Sequence, residues 1–238
     1  MFEVLGFEFF RNALIAGGVL ASVACGIIGT YVVVRRMVSV SGGISHAAFG
    51  GIGLGYFFGI DPLLGAAGFT VATALGMGAL QLRARQQMDT IIGAVWAAGD
   101  GRRDPLRLPD TGIRPRPLLL PLREHPPRAA GGRHPADGGV LVAIIVAVVA
   151  LLYRELQAVT FDPDYARVLN LPVERLSLLL LVLIALTVVM LIRVVGGIIL
   201  VIALLTLPAA ISRLYTTRIR SMMILAVALG IVFTWRGG

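Results

Sequence analysis

Residues 33–51 read V-V-R-R-M-V-S-V-S-G-G-I-S-H-A-A-F-G-G. The arginine pair Arg35-Arg36 closes one apolar run and belongs at a membrane surface. The chain then enters a second, glycine-rich apolar segment carrying His46, the only histidine in an apolar part of the protein. A polar, metal-capable side chain inside a membrane span is costly, so His46 is a functional-site candidate by default.

Composition supports a membrane setting for this stretch. Hydrophobic residues make up 57% of the chain and charged residues 14%, with a mean hydropathy of +0.88. Several apolar runs approach the ~20 residues that a helix needs to cross a bilayer. The alternating segments of about ten residues that mark a membrane β-barrel are absent from the sequence. The expected fold class is all-α, a polytopic transmembrane helical bundle in a single domain covering 1–238. The net charge of +8 does not point to nucleic acid, because the arginines sit at the ends of apolar runs rather than on a basic face with aromatics. There is no lysine, and the single Cys25 cannot form an intrachain disulfide. Glu3 and Glu8, with no basic residues before the first apolar run, give no sign of a cleaved signal peptide.

Outward from the opening stretch, the expected spans are Ala13 to Val34, Ile44 to Ile60, Pro62 to about Leu80, and Met88 to Ala98 as the start of a fourth. Gly139 to Tyr153 and Val173 to Ile192 follow, then a short β-branched helix from Gly196 to Leu207 and a last span from Met222 to Thr234. That makes about seven to eight spans. Arg154 to Pro172 and Pro208 to Ser221 read as polar, basic loops. Thirteen apolar residues from Met222 are few for a crossing, so the C-terminus is expected to be truncated inside a span.

Residues 99–138 break the pattern. They hold eight of the twelve prolines, eight of the twenty-one arginines and two of the three histidines. One reading is a disordered proline-rich loop. Yet so long a structureless insert is uncommon in a compact domain. A shifted reading frame fits better. With suitable codons, Asp100 to Arg128 reads one base later as M-A-V-G-I-L-F-V-Y-L-T-P-G-Y-A-P-D-L-F-S-Y-L-F-G-N-I-L-R. That text continues the fourth span and then turns into another apolar piece. The frame would be restored near Gly138–Val140.

The loops set an orientation. Arg35–Arg36, Arg83–Arg85, Arg154–Arg175 and Arg213–Arg220 all fall on one side if the N-terminus lies outside. Apart from 99–138, the opposite loops carry only Asp61 and Arg193.

Three features could carry function. The His46 imidazole can ligate Zn(II), Mn(II) or Fe(II), or simply hydrogen-bond a neighbouring helix. Glycines 42, 43, 50, 51, 53 and 55 allow close backbone approach, for a translocation path or for tight packing. The stretch from Leu207 to Ser221, with Arg213, Arg218 and Arg220, reads as a docking segment for a cytoplasmic partner or as an ordinary basic anchor. No G-x-x-x-x-G-K-[ST] occurs, so no phosphate-binding loop of that type is present. No nucleophile–base pair or paired carboxylates occupy the spans, and no enzymatic activity is expected.

With 33–51 stand D-T-I-I-G-A-V-W-A at 89–97, Y-R-E-L-Q-A-V-T-F-D-P-D-Y-A-R at 153–167, L-P-V-E-R-L at 171–176 and R-V-V-G-G-I-I-L-V-I-A-L-L-T-L-P-A-A at 193–210. Five pieces in this order resemble the permease subunits of metal-ion ABC importers for zinc, manganese or iron. The text from the shifted frame resembles that family's missing segment. The resemblance implies a permease homodimer on cytoplasmic ABC ATPase subunits, fed by an extracytoplasmic metal-binding protein and set in the plasma membrane. It implies alternating access driven by the partner's ATP hydrolysis, with no permanently bound cofactor. It places His46 on the metal path, and ATPase coupling on Leu207, Pro208, Ala209, Arg213, Arg218 and Arg220. Many members, notably manganese-type ones, read G-D-x-I-S-H, with an aspartate one turn before the histidine. Here that position is Gly42, and loss of the harder oxygen ligand favours zinc. The alternatives are a permease for iron chelates or cobalamin, and a frameshifted remnant. A self-contained carrier would need broken-helix ion sites in symmetric halves, which the sequence does not offer.

Overall fold

The structure is a computed structural model that describes residues 2–84, 88–100, 136–195 and 198–236. Every regular element there is a helix: α1 Phe2–Val34, α2 Val38–Phe58, α3 Pro62–Ala84, α4 Met88–Asp100, α5 Ala136–Leu151, α6 Tyr153–Phe161, α7 Pro163–Val168, α8 Val173–Val195, α9 Ile198–Tyr215 and α10 Ile219–Arg236. The all-α membrane bundle read from composition is the observed fold. Residues 101–135, most of the segment expected to be out of frame, lie outside the described residues.

Three apolar stretches are long enough to cross a bilayer: Gly17–Val34 in α1, Pro62–Gln81 in α3 and Val173–Ile192 in α8. The α5–α6 pair also qualifies, but it bends by 71°. Helix α2 has the length, at 21 residues, while its serines, glycines and His46 dilute its apolarity. Helices α9 and α10 add the shorter apolar stretches Val201–Tyr215 and Ile219–Thr234.

Helices α1 and α8 form the interior, with 67% of each spanning stretch buried against 28% for α3. Helix α8 is apolar all round, which suits a helix with neighbours on every side. Its Leu180, Leu181, Leu183, Ile184 and Leu191 are fully buried. Helix α1 packs on α5, α8, α9 and α10, and α2 packs on α3, α4 and α8. Lipid supplies no hydrophobic drive between helices, so close backbone approach holds them together. A Cβ on Gly29 would overlap the Leu205 carbonyl where α1 meets α9, and one on Gly51 would stand 2.7 Å from the Gly65 carbonyl where α2 meets α3. Buried hydroxyls donate back to the carbonyl four residues earlier, as in Ser22 to Gly18 at 2.8 Å, Thr30 to Gly26 at 2.7 Å and Thr187 to Leu183 at 2.8 Å. Ser22 also meets Thr234 of α10 at 3.0 Å.

Two expected loops are helical instead. Residues 154–172 form most of α6 and all of α7, because Asp162 caps the second helix. Its carboxylate accepts from the Asp164 and Tyr165 amides at 3.0 and 2.9 Å, with Pro163 at the first helical position. Residues 208–215 continue α9 through Pro208. A spanning helix tolerates such a proline where neighbouring hydroxyls re-satisfy freed backbone groups. The carbonyl that loses its helical donor is that of Leu204, while Thr206 and Ser212 donate to the Ile202 and Ala209 carbonyls on either side of it. The final helix is correspondingly longer than its Met222–Thr234 apolar stretch, at 18 residues.

Long-range contacts gather the arginines at one end. Arg35, just past α1, donates to Ser177 of α8 at 3.2 Å. Arg213 of α9 donates to the Val33 carbonyl at 3.3 Å. Arg220 of α10 lies 5.0 Å over the Tyr153 ring of α6. The basic segments at 35–36, 154–175 and 213–220 therefore share one end of the bundle, as the loop parity requires.

Candidate functional site

His46 stands on α2, about 12 Å along the helix axis from Val38. Its turn is held by Ser45, which donates to the Ser41 carbonyl at 2.8 Å. Residues Ser41 to Ser45 are buried, and the His46 ring is half-buried. Trp96 of α4 lies against it, with ring centroids 5.3 Å apart and planes tilted by 35°. The glycines before His46 make room for that indole. A Cβ on Gly42 would come within 3.1 Å of Trp96 Cζ2, and one on Gly43 within 3.3 Å of Nε1. Ile92 and Ile202 line the same hollow, 3.5 and 3.8 Å from those Cβ positions.

His46 is the site residue whose side chain is chemically able to ligate a metal. Among the described residues, no group of three or more His, Cys, Asp or Glu comes together to hold an ion. Trp96 lies in the D-T-I-I-G-A-V-W-A stretch at 89–97, where the sequence alone gives it no role. The signal for it was the glycine pair one turn before the histidine, which forms a socket for the indole.

The six residues assigned to ATPase coupling divide. Ala209 is fully buried against Val33 and Ala226, and Pro208 is also buried. Leu207 is exposed on the flank of α9. Arg213 is exposed but tied back to α1. Arg218 and Arg220 are exposed at the start of α10. They line a groove of about 440 Å³ with Tyr153, Gln157 and Phe161 of α6. Beyond it, α6 and α7 bury Leu156, Val159 and Ala166 and expose Phe161, Tyr165, Val168 and Leu169. The sequence of 154–172 reads as a polar loop, and only the folded helices show this apolar patch. The D-P-D-Y cap at 162–165 was the available signal.

The ABC 3 transport family matches residues 6–99 and 138–238. The chain belongs to that family. The kinship drawn from residues 33–51 and the four later motifs is thus borne out. Among this family member's relatives is an uncharacterized membrane protein of Synechocystis sp., 42% identical over 98% of this chain and 82% of that protein. A manganese transport system membrane protein of Listeria monocytogenes is 31% identical over 96% of this chain and 80% of its own length. A probable metal transport system membrane protein of Chlamydia pneumoniae is 33% identical over 91% of this chain and 75% of its own. Among solved structures, PsaBC from Streptococcus pneumoniae in complex with Fab matches with a TM-score of 0.72 and 25% identity, over 94% of this chain and 79% of that one.

Proposed function

We propose that this chain is the membrane-spanning permease of an ABC importer for a divalent transition metal, zinc in the first instance. The observation that carries the reading is the His46 imidazole, half-buried in the bundle and backed by Trp96. Its setting is a family whose named relatives are metal transport membrane proteins. Imidazole suits zinc, whereas manganese prefers oxygen donors, and Gly42 offers none. Manganese is the second reading, favoured by the name of the Listeria relative.

The metal passes by alternating access between two copies, and ATP hydrolysis belongs to a partner chain. That ATPase docks at the arginine-rich end, on the α6–α7 patch and the groove edged by Arg218 and Arg220. Positive charge at that end supports a cytoplasmic position for it and an N-terminus outside.

The family match skips 100–137 and resumes at 138, which supports an out-of-frame segment between those points. Resequencing the locus tests this. Mass spectrometry finding the native protein with its arginine- and proline-rich peptides intact would refute it.

The functional test is growth and uptake of labelled zinc and manganese by cells expressing the permease from its own locus with its ATPase. His46→Ala is expected to lower uptake of the preferred metal by at least tenfold, on the order of 1.4 kcal/mol. Uptake unchanged in His46→Ala would remove this residue from the path.

A further inference from the structure

We infer that Trp96 is the specificity-determining partner of His46, and that its indole occupies the space a metal-binding side chain at position 42 would need. The inference rests on the reading that His46 lines the metal path. Three observations carry it. The indole lies flush on the α2 backbone, so close that a Cβ on Gly42 or Gly43 would stand 3.1 to 3.3 Å from it. Its ring pairs with the imidazole at 5.3 Å, within the range at which aromatic rings attract. Trp96 nevertheless keeps 42% of its surface exposed. One side of the indole packs on the histidine and its glycines.

The consequence is steric. A Cβ at position 42 would stand 3.1 Å from Trp96 Cζ2, so the indole must give by a few tenths of an ångström, and a carboxylate there competes with it for the same space. With the indole in place, α2 offers a metal the His46 imidazole and no carboxylate. Such a face favours a borderline-soft ion over a hard one. Trp96 also limits the orientations open to the His46 ring, which fixes where its donor nitrogen is presented.

The protein has two tryptophans, Trp96 and Trp235, so a Trp235→Phe background leaves Trp96 as the only indole reporter. Cobalt(II) alone, a quenching ion, is titrated into the purified permease, and emission is followed. Zinc and manganese uptake are measured in parallel in vesicles. Cobalt is expected to quench Trp96 emission in this background and to lose that effect in His46→Ala. Gly42→Asp alone is expected to depress uptake of both metals. Adding Trp96→Ala to Gly42→Asp is expected to restore uptake, with the manganese-to-zinc ratio raised about tenfold over wild type. Trp96→Phe, which keeps a ring on the glycines, is expected to retain the wild-type ratio. Gly42→Asp transporting like wild type, or a double variant that recovers uptake with the original ratio, would overturn the inference and leave the metal-path reading standing. Uptake and quenching that both survive His46→Ala would overturn the metal-path reading itself, and this inference with it.

Discussion

Tyr31 shows how the bundle treats single polar atoms. It is fully buried in α1, and its hydroxyl finds no hydrogen-bond partner among the described residues. A buried hydroxyl without a partner costs about 1 to 3 kcal/mol. Tyr31→Phe removes that group and keeps the ring, so it is expected to be neutral or stabilising by about 1 kcal/mol. Thermal unfolding of the detergent-solubilised permease checks this, and a clear loss of stability would reveal a partner for the hydroxyl. Arg35 is the contrasting case. Burial lowers its pKa from the usual arginine value, yet a guanidinium stays charged at every pH the protein meets. Ser177 accepts a hydrogen bond from it. Arg36 beside it adopts φ 56°, and the Met37 amide reaches back to the Val32 carbonyl at 2.8 Å. These bonds form the left-handed stop that ends α1.

Helix contacts are set by where side chains are missing. Gly29 lets α1 lie directly on the α9 backbone at Leu205. Gly29→Val is expected to force the pair apart and lower stability by about 3 kcal/mol, read as a fall in the yield of folded, monodisperse permease. Gly29→Ala should follow in the same direction with a smaller loss. Equal yields of the valine variant and wild type would mean that α1 and α9 do not meet as closely as shown. The seam was partly legible in the sequence, since α1 is rich in Gly, Ala and Ser. Which of those residues faces which helix was not. That depends on the rotation of each helix about its axis, and an apolar helix with neighbours all round carries no amphipathic stripe to report it.

At the scale of the molecule, the two ends differ in charge. One end collects Arg35, Arg213 and Arg220, while the α2–α3 turn at the other carries Asp61, whose carboxylate accepts from the Leu63 amide at 2.8 Å. The only native cysteine, Cys25, is buried, so introduced cysteines report cleanly. Arg154→Cys and Arg218→Cys are expected to react with an impermeant thiol reagent from the same side of sealed vesicles. Ile60→Cys, at an exposed position in the α2–α3 turn, is expected to react only from the opposite side. Labelling of Ile60→Cys and Arg154→Cys from one side would break the topology. Labelling of Arg154→Cys from outside intact cells would reverse the proposed orientation.

The sequence alone determined the all-helical membrane class, the order of the apolar stretches, the shared side of the basic segments and the family, because these depend on local composition, spacing and charge. His46 stood out for the same reason, as a polar group where polarity is costly. Tertiary structure alone decided what surrounds it. Trp96 lies fifty residues away along the chain, and only the packing of α4 on α2 brings its indole onto the Gly42–Gly43 socket. Packing likewise sent Ala209 into the core and Phe161, Tyr165 and Val168 to the surface, the last at 76% exposure. Within one helix, neighbours are set by sequence separation. Between helices they are set by rotation and close approach, and those are properties of the whole bundle.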